Sequence, residues 1–275
     1  MSFVELTGVS SASVPNPSSG DVRFYMNTTG LGPNAAACLS ARDSTGAEIK
    51  LGQFSTLDYR LINIRILTSG TSYVPTAGTR AAYVECIGPG AQGGGAATSS
   101  STVSMGGGGG GGAYAASWIT GAALKNPTTY AIGAGGTGAS AGNAGNNGGD
   151  TTWDTNVIVA KGGLGGPVMA AGSTNIVIAG GAGGALGSCV GDFKMGGKNG
   201  FRGIRLSGTT YLFAGDGAHG ILGGDGGLAA VNSAAGAAGA NGVDYGTGGA
   251  GAATLATAQV GGNGIQGVIR VWEFG

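Results

Sequence analysis

The chain has 275 residues, 64 of them Gly, and no formal net charge at pH 7, with only 9 % charged residues. A zero balance offers no electrostatic footprint for nucleic acid or an anionic membrane surface. No apolar run reaches the roughly 18 residues that a membrane helix needs. The composition also excludes collagen, which requires Gly at every third position and abundant Pro; seven Pro and the unbroken run Gly106–Gly112 do not fit it.

The first residues, MSFVELTGVSS, lack the basic start and apolar core of a signal peptide. Residues 1–20 read as an extended Ser-, Pro- and Val-containing lead-in. In DVRFYMN, Val22, Phe24 and Met26 alternate with Arg23, Tyr25 and Asn27, which predicts a strand with one apolar face. In ACLSARDSTGAEIKL, Asp43-Ser44-Thr45-Gly46 is a turn between strands carrying Leu39 and Ala41 on one side and Ile49 and Leu51 on the other. Residues 21–52 thus predict a small β module. LDYRLINIRILTSG suits a strand or a short helix; the alternation of Ile64 and Ile66 with Asn63 and Arg65 favours a strand. A short extended piece at Tyr73-Val74-Pro75, a turn at Ala77-Gly78 and a strand through Tyr83, Val84, Cys86 and Ile87 follow.

Only eight Gly lie before Gly88. Beyond it, apolar segments alternate with Gly tracts. The segments are 113–119, 128–132, 151–160, 175–179, 204–214 and 265–274; the tracts include 106–112, 162–166, 180–184, 223–227 and 246–251. No helical period is present. Gly loses the most backbone freedom on folding, but disorder normally accompanies high net charge and few apolar residues. An ordered backbone solution is therefore expected: polyglycine II, a left-handed form with three residues per turn and outward-pointing amides and carbonyls. In tracts of the GGXGG kind the odd residues are Leu164, Ala182 and Asp225. The apolar two are expected to face a core and Asp225 to face water. The fold class is mainly β: sandwich-like strands alternating with polyglycine-II-type segments, behind a small N-terminal β module.

Chemistry has few footholds. GAGGTG (133–138) matches the spacing of a dinucleotide loop, but ASAGNAGNNGGD follows and cannot supply the required helix. GDFKMGGKNG (191–200) lacks both the first Gly and the Ser or Thr of a phosphate loop. His219 is the sole histidine, which rules out a His-based metal cluster. Asp150, Asp154, Asp192, Asp216, Asp225 and Asp244 lie in or near loops or tracts, and nothing singles out a glycosidase pair. Cys38, Cys86 and Cys189 form no metal or redox spacing and read as small apolar residues of a protein made in a reducing cytoplasm. No enzyme activity and no cofactor are expected.

A run of blocks in fixed order carries a resemblance. These are TSGTSYVPTAGTRAAYVECIGPGAQGGG (68–95), GGGGGGAYAASWITGAAL (107–124), TTYAIGAGGTG (128–138), GGDTTW…VIVAKGGLGG (148–166) and GVIRVWEF (267–274). Together they resemble the glycine-rich domain of bacteriophage tail fibres and receptor-binding adhesins. That resemblance implies a homotrimeric virion appendage, made in the host bacterial cytoplasm. Residues 1–67 would attach to other virion tail proteins or pack the oligomer. Residues 68–275 would bind a bacterial surface receptor, a saccharide or an outer-membrane protein. No nucleic acid and no membrane insertion are implied.

Loops on a rigid scaffold are where recognition concentrates, and aromatic and cationic side chains are common anchors. The segments 188–202 and 211–222 are the candidate loops. They offer Phe193, Lys194, Lys198, Phe201, Arg202, Tyr211 and His219 as receptor-binding residues, with Tyr245 beyond them. A core role for Phe193 and Phe201 is equally open, and Trp153 reads as core. The rival classes are a head fibre or decoration protein, an ice-binding protein, which irregular loops disfavour, and a capsule depolymerase.

Overall fold

The computed structural model describes residues 8–9, 22–27, 38–43, 45, 48–53, 60–98, 102–206, 211–231 and 236–275. The chain divides into two compact units between Arg60 and Leu61. In the first, β1 (Gly8–Val9), β2 (Val22–Asn27), β3 (Cys38–Asp43) and β4 (Glu48–Gln53) form one sheet in sequence order. β1 and β2 are parallel; the other pairs are antiparallel. The turn expected after β3 is present at Thr45.

The second unit starts with β5 (Leu61–Leu67), in which Ile64 and Ile66 are exposed. With β7 (Ala81–Ile87), β9 (Tyr114–Thr120), β15 (Phe193–Met195) and β19 (Val268–Phe274) it forms an antiparallel sheet ordered β15-β9-β7-β19-β5. A second sheet is ordered β12-β11-β10-β6, from β6 (Ser72–Tyr73), β10 (Thr128–Ala131), β11 (Thr151–Trp153) and β12 (Ile158–Ala160). Strand alternation sends Ala82, Val84 and Cys86 of β7 and Ile269 and Val271 of β19 to one face. They meet Tyr73, Tyr130, Trp153 and Ile158 from the second sheet in one apolar core. Trp153 is fully buried, its ring 5.0 Å from Tyr73 and 6.2 Å from Tyr130. Beside this core the buried Glu273 carboxylate accepts from the Tyr73 hydroxyl and from the Thr76 amide at 3.2 Å. The fold is mainly β, as the sequence predicts, and this end of the unit is sandwich-like.

Between the strands, the Gly tracts bond with a period of three. Gly106, Gly109 and Gly112 donate to Ala252, Gly249 and Gly246. Gly107, Gly110 and Ala113 donate to Pro167, Leu164 and Lys161. Gly108 and Gly111 donate to Phe201 and Lys198. Three residues per turn is the symmetry of polyglycine II. Among the described residues twelve segments bond in this manner, named g1 to g12 in chain order: 88–96, 106–113, 133–138, 143–149, 161–167, 179–184, 197–203, 214–220, 224–230, 237–243, 246–253 and 259–267.

The bonds define a hexagonal lattice. Around g2 the neighbours are g1, g5, g6, g7, g8 and g11, and successive neighbours bond one another. g1 and g11 are likewise surrounded, g1 by g2, g3, g4, g5, g11 and g12, and g11 by g1, g2, g8, g9, g10 and g12. These three interior segments are buried almost throughout, and the other nine ring them. A Cβ on Gly108 would overlap the Asp216 carbonyl, and one on Gly110 would overlap that of Ala182. Backbones this close leave room only for hydrogen, which explains the seven-Gly run at the centre of a ring.

Consecutive g segments run in opposite directions. Their connections therefore fall at two ends. One end is the sandwich. The other is built from β8 (Val103–Gly106), β13 (Val168–Gly172), β14 (Ile176–Ile178), β16 (Gly203–Leu206), β17 (Tyr211–Phe213) and β18 (Ala253–Thr254). A second core of Val103, Met105, Leu212, Ala214, Ala230 and Ala253 lies under this loop end. There Arg205, 3 % exposed, donates to the carbonyls of Val103, Ala170 and Thr174.

Leu164 and Ala182 correct the reading of the GGXGG tracts. Both are exposed, Leu164 to 47 %. Their segments, g5 and g6, lie on the rim, so flanking Gly pairs face the neighbours and the odd residue points outward. Asp225 on g9 is exposed for the same reason.

Candidate functional site

The nine rim segments form rows, and the row g7–g8–g9 carries the large side chains. With three residues per turn, every third residue of a rim segment faces solvent. On g7 Lys198 and Phe201 are in this phase, with Asn199 and Arg202 exposed beside them; on g8 the half-buried Asp216 and His219 are; on g9, the exposed Asp225 and Leu228. Phe213 precedes g8 and Val231 follows g9 in the same phase, and both are exposed. The rows are held in register by backbone bonds: Phe201 donates to Asp216 at 2.9 Å, and Gly217 to Gly227 at 2.8 Å.

Side chains link the three segments across this face. The Phe201 ring meets His219 edge-on, with centroids 5.7 Å apart. His219 Nδ1 lies 3.3 Å from Asp225 Oδ1. Asp216 Oδ1 accepts the Ala229 amide at 2.5 Å. Toward the loop end the face opens into a groove of ≈ 650 Å³, lined by Phe201, Arg202, Ile204, Phe213, Asp216, Leu228, Ala229 and Val231. That volume is within the range of ligand sites, roughly 300–1,000 Å³. The walls are apolar, the Asp216 carboxylate supplies an acceptor, and the exposed Arg202 supplies donors.

The candidate residues from the sequence divide between this face and the sandwich end. Lys198, Phe201, Arg202 and His219 belong to g7 and g8. Phe193 and Lys194 lie in β15 on the sheet edge; Phe193 is 53 % exposed and packs edge-on to Tyr114 at 5.9 Å. Lys194 Nζ donates to the Cys189 carbonyl at 3.3 Å. Tyr245, 44 % exposed, lines a smaller hollow with Leu222, Gly223, Gly224 and Asp244. Tyr211 pairs with Leu206 through its backbone, and its side chain lies outside the described residues. The segments 188–202 and 211–222 are thus largely regular: β15 with g7, and β17 with g8. Backbone bonding in both directions recruits them into the lattice, so they are not free loops. Phe193 and Phe201 are surface residues, not core.

Asp216, Phe213, Leu228 and Val231 were not singled out by the sequence. The signal that locates them is a three-residue period through 213–231, which a search for strand and helix periods passes over. GAGGTG (133–138) is g3, with Gly136 bonded to Gly90.

A second polar cluster lies on the outer face of the five-stranded sheet. Glu85 accepts from Arg270 Nε at 2.5 Å and Nη2 at 2.9 Å, from Trp272 Nε1 at 2.6 Å, and from Tyr114 at 2.7 Å. Burial opposes the charge on Glu85, but these donors outweigh it and hold the carboxyl below its ordinary range. Arg270, Trp272 and Tyr114 all converge on this one carboxylate, which makes it a structural clamp joining β7, β9 and β19. Burial pushes the Cys86 thiol well above its usual range. Among the described residues no group of three or more His, Cys, Asp or Glu is placed to hold a metal ion, and no helix is long and apolar enough to cross a membrane.

A search of curated proteins finds no match to this chain. Residues 67–272 match the family described as the glycine-rich domain. The matched stretch runs from the end of β5 through the whole polyglycine-II lattice into β19. On that match, which spans most of its length, the chain belongs to the glycine-rich domain family.

Proposed function

We propose that this protein is a bacteriophage tail-fibre component that attaches the virion to a bacterial surface. The observation that supports this best is the contrast between lattice and face. The interior of the second unit is backbone bonded to backbone, while one rim row, g7–g8–g9, displays exposed aromatic, cationic and acidic side chains beside an open groove. A stiff scaffold presenting a few anchors on one side suits recognition, because little ordering is required on binding. Several copies in a trimeric fibre would bind by avidity. In this reading residues 1–67 join the fibre to other virion tail proteins, and the activity is adhesion without catalysis or cofactor.

The test is binding of purified full-length protein to a panel of bacterial strains, followed by competition with phage adsorption. Retention on at least one strain and a block of adsorption are expected. Retention on none would favour a purely structural virion role.

A second reading, ice binding, draws on the row g10–g12–g3. There Ala240, Val243, Val260, Ala134 and Thr137 give an exposed and uncharged surface. Thermal hysteresis of the purified protein decides it, and none is expected.

A further inference from the structure

We infer that the g7–g8–g9 face is a saccharide-binding site, with Phe201 and Asp216 as its principal contacts. This rests on the attachment reading above and assigns a ligand class to it. A sugar ring has two kinds of surface: faces of C–H groups and a perimeter of hydroxyls. A site for it needs an exposed aromatic or aliphatic wall, and fixed acceptors and donors at the edge of that wall. The groove supplies both. Phe201 is 48 % exposed and Phe213 46 %, and Leu228 and Val231 form the opposite wall.

Phe201 is fixed from two directions. Its amide is bonded to the Asp216 carbonyl at 2.9 Å, and its ring rests against the edge-on His219 at 5.7 Å. His219 is in turn held by Asp225 at 3.3 Å. Asp216 uses Oδ1 on the Ala229 amide at 2.5 Å, which orients the carboxylate and leaves Oδ2 to accept a hydroxyl in the groove. Arg202, at the same groove, donates to ring or hydroxyl oxygens or to an acidic substituent.

Spacing supports an extended chain rather than a single ring. Outward residues of one polyglycine-II segment recur every roughly 9 Å, three residues at about 3.1 Å each. Phe213, Asp216 and His219 thus form a line along g8, with Phe201 on one side and Leu228 on the other. Phe201, Phe213, Asp216 and Leu228 line one groove, and His219 carries the line of contacts past it along g8.

The experiment uses the full chain on a printed array of bacterial surface polysaccharides and oligosaccharides, beside the strain panel. Wild type should retain at least one glycan. Phe201→Leu, which keeps an apolar side chain but removes the aromatic face, and Asp216→Asn, which keeps the acceptor for Ala229, should each weaken that binding at least tenfold with unchanged circular dichroism. Cell binding with no glycan retained overturns the saccharide assignment and leaves attachment standing. Glycan binding unaffected by both variants overturns the site. Binding to neither cells nor glycans removes the attachment reading and this one with it.

Discussion

Gly108 donates its amide to the Phe201 carbonyl at 3.1 Å, joining an interior polyglycine segment to the rim segment that carries an exposed aromatic. The same glycine accepts the Gly181 amide at 2.8 Å, and a Cβ on it would overlap the Asp216 carbonyl. One position thus couples scaffold to surface.

Gly108→Val should destabilise the second unit by about 3 kcal/mol or more, because the g8 backbone at Gly215 and Asp216 must move to admit the side chain. Gly187 is the control, since nothing lies within 4 Å of a Cβ placed there; Gly187→Ala should stay within about 0.5 kcal/mol of wild type. Urea unfolding of the two variants checks both.

Arg205→Leu should loosen the loop end. The substitution strands the Val103, Ala170 and Thr174 carbonyls that the guanidinium serves. Charged hydrogen bonds of this kind contribute roughly 1.5–3 kcal/mol each. Limited proteolysis should cut near residues 170–174 in the variant before it cuts wild type. Equal cleavage rates would show that the loop end is held by other contacts.

The Glu85 clamp predicts an acid-labile protein. Its carboxyl is held below the ordinary Glu range in the folded state by Arg270, Tyr114 and Trp272 against the cost of burial. A depressed folded value contributes stability above the unfolded value, about 4.3 for Glu. That contribution is lost as pH falls through the folded value. Glu273, also lowered despite burial, adds to the same slope. The melting temperature of wild type should drop steeply below about pH 4.5. Glu85→Gln should melt lower at pH 7 and show a shallower drop.

Four Asn-Gly pairs, at Asn147, Asn199, Asn241 and Asn263, are the kind of sequence that deamidates through a succinimide. That step needs the following Gly nitrogen to attack the Asn side chain. Here Gly148, Gly200, Gly242 and Gly264 all donate that N–H within the lattice, to Gly163, Gly181, Asn263 and Gly136. Asn147, Asn199 and Asn241 also accept a neighbouring amide through Oδ1, at 2.8–2.9 Å. Peptide mapping after incubation should show deamidation slower by roughly tenfold or more in the native protein than in urea.

Burial also predicts that Cys86 and Cys189 resist alkylation under native conditions and react on unfolding. Mass spectrometry after iodoacetamide treatment reads this directly.

Much of the architecture was legible in residue order. Alternation marked β2 and β5, the Asp43–Gly46 turn separated β3 from β4, and Trp153 read as core because it stands in a strand-like block. Low charge together with recurring apolar segments pointed to ordered Gly tracts. These signals are local, carried by the side chains themselves. β8 and β18 are not legible because 103–106 and 253–254 are too short for a period, and β13 is not because Val168-Met169-Ala170-Ala171-Gly172 does not alternate apolar with polar.

By itself, the sequence determined that Gly-rich segments pack as backbone, because only Gly lets carbonyl and amide meet where Gly108 and Gly110 do. It did not determine which segment sits inside. g1, g2 and g11 are interior and g5, g6 and g7 are rim because of how many neighbours each finds, and that count is a property of the assembled lattice. The same lattice decided that Leu164 faces water and that Phe201, Asp216 and His219, up to 18 residues apart, share one face. A three-residue period sets the phase of each segment, but only the hydrogen bonds between segments bring those phases together.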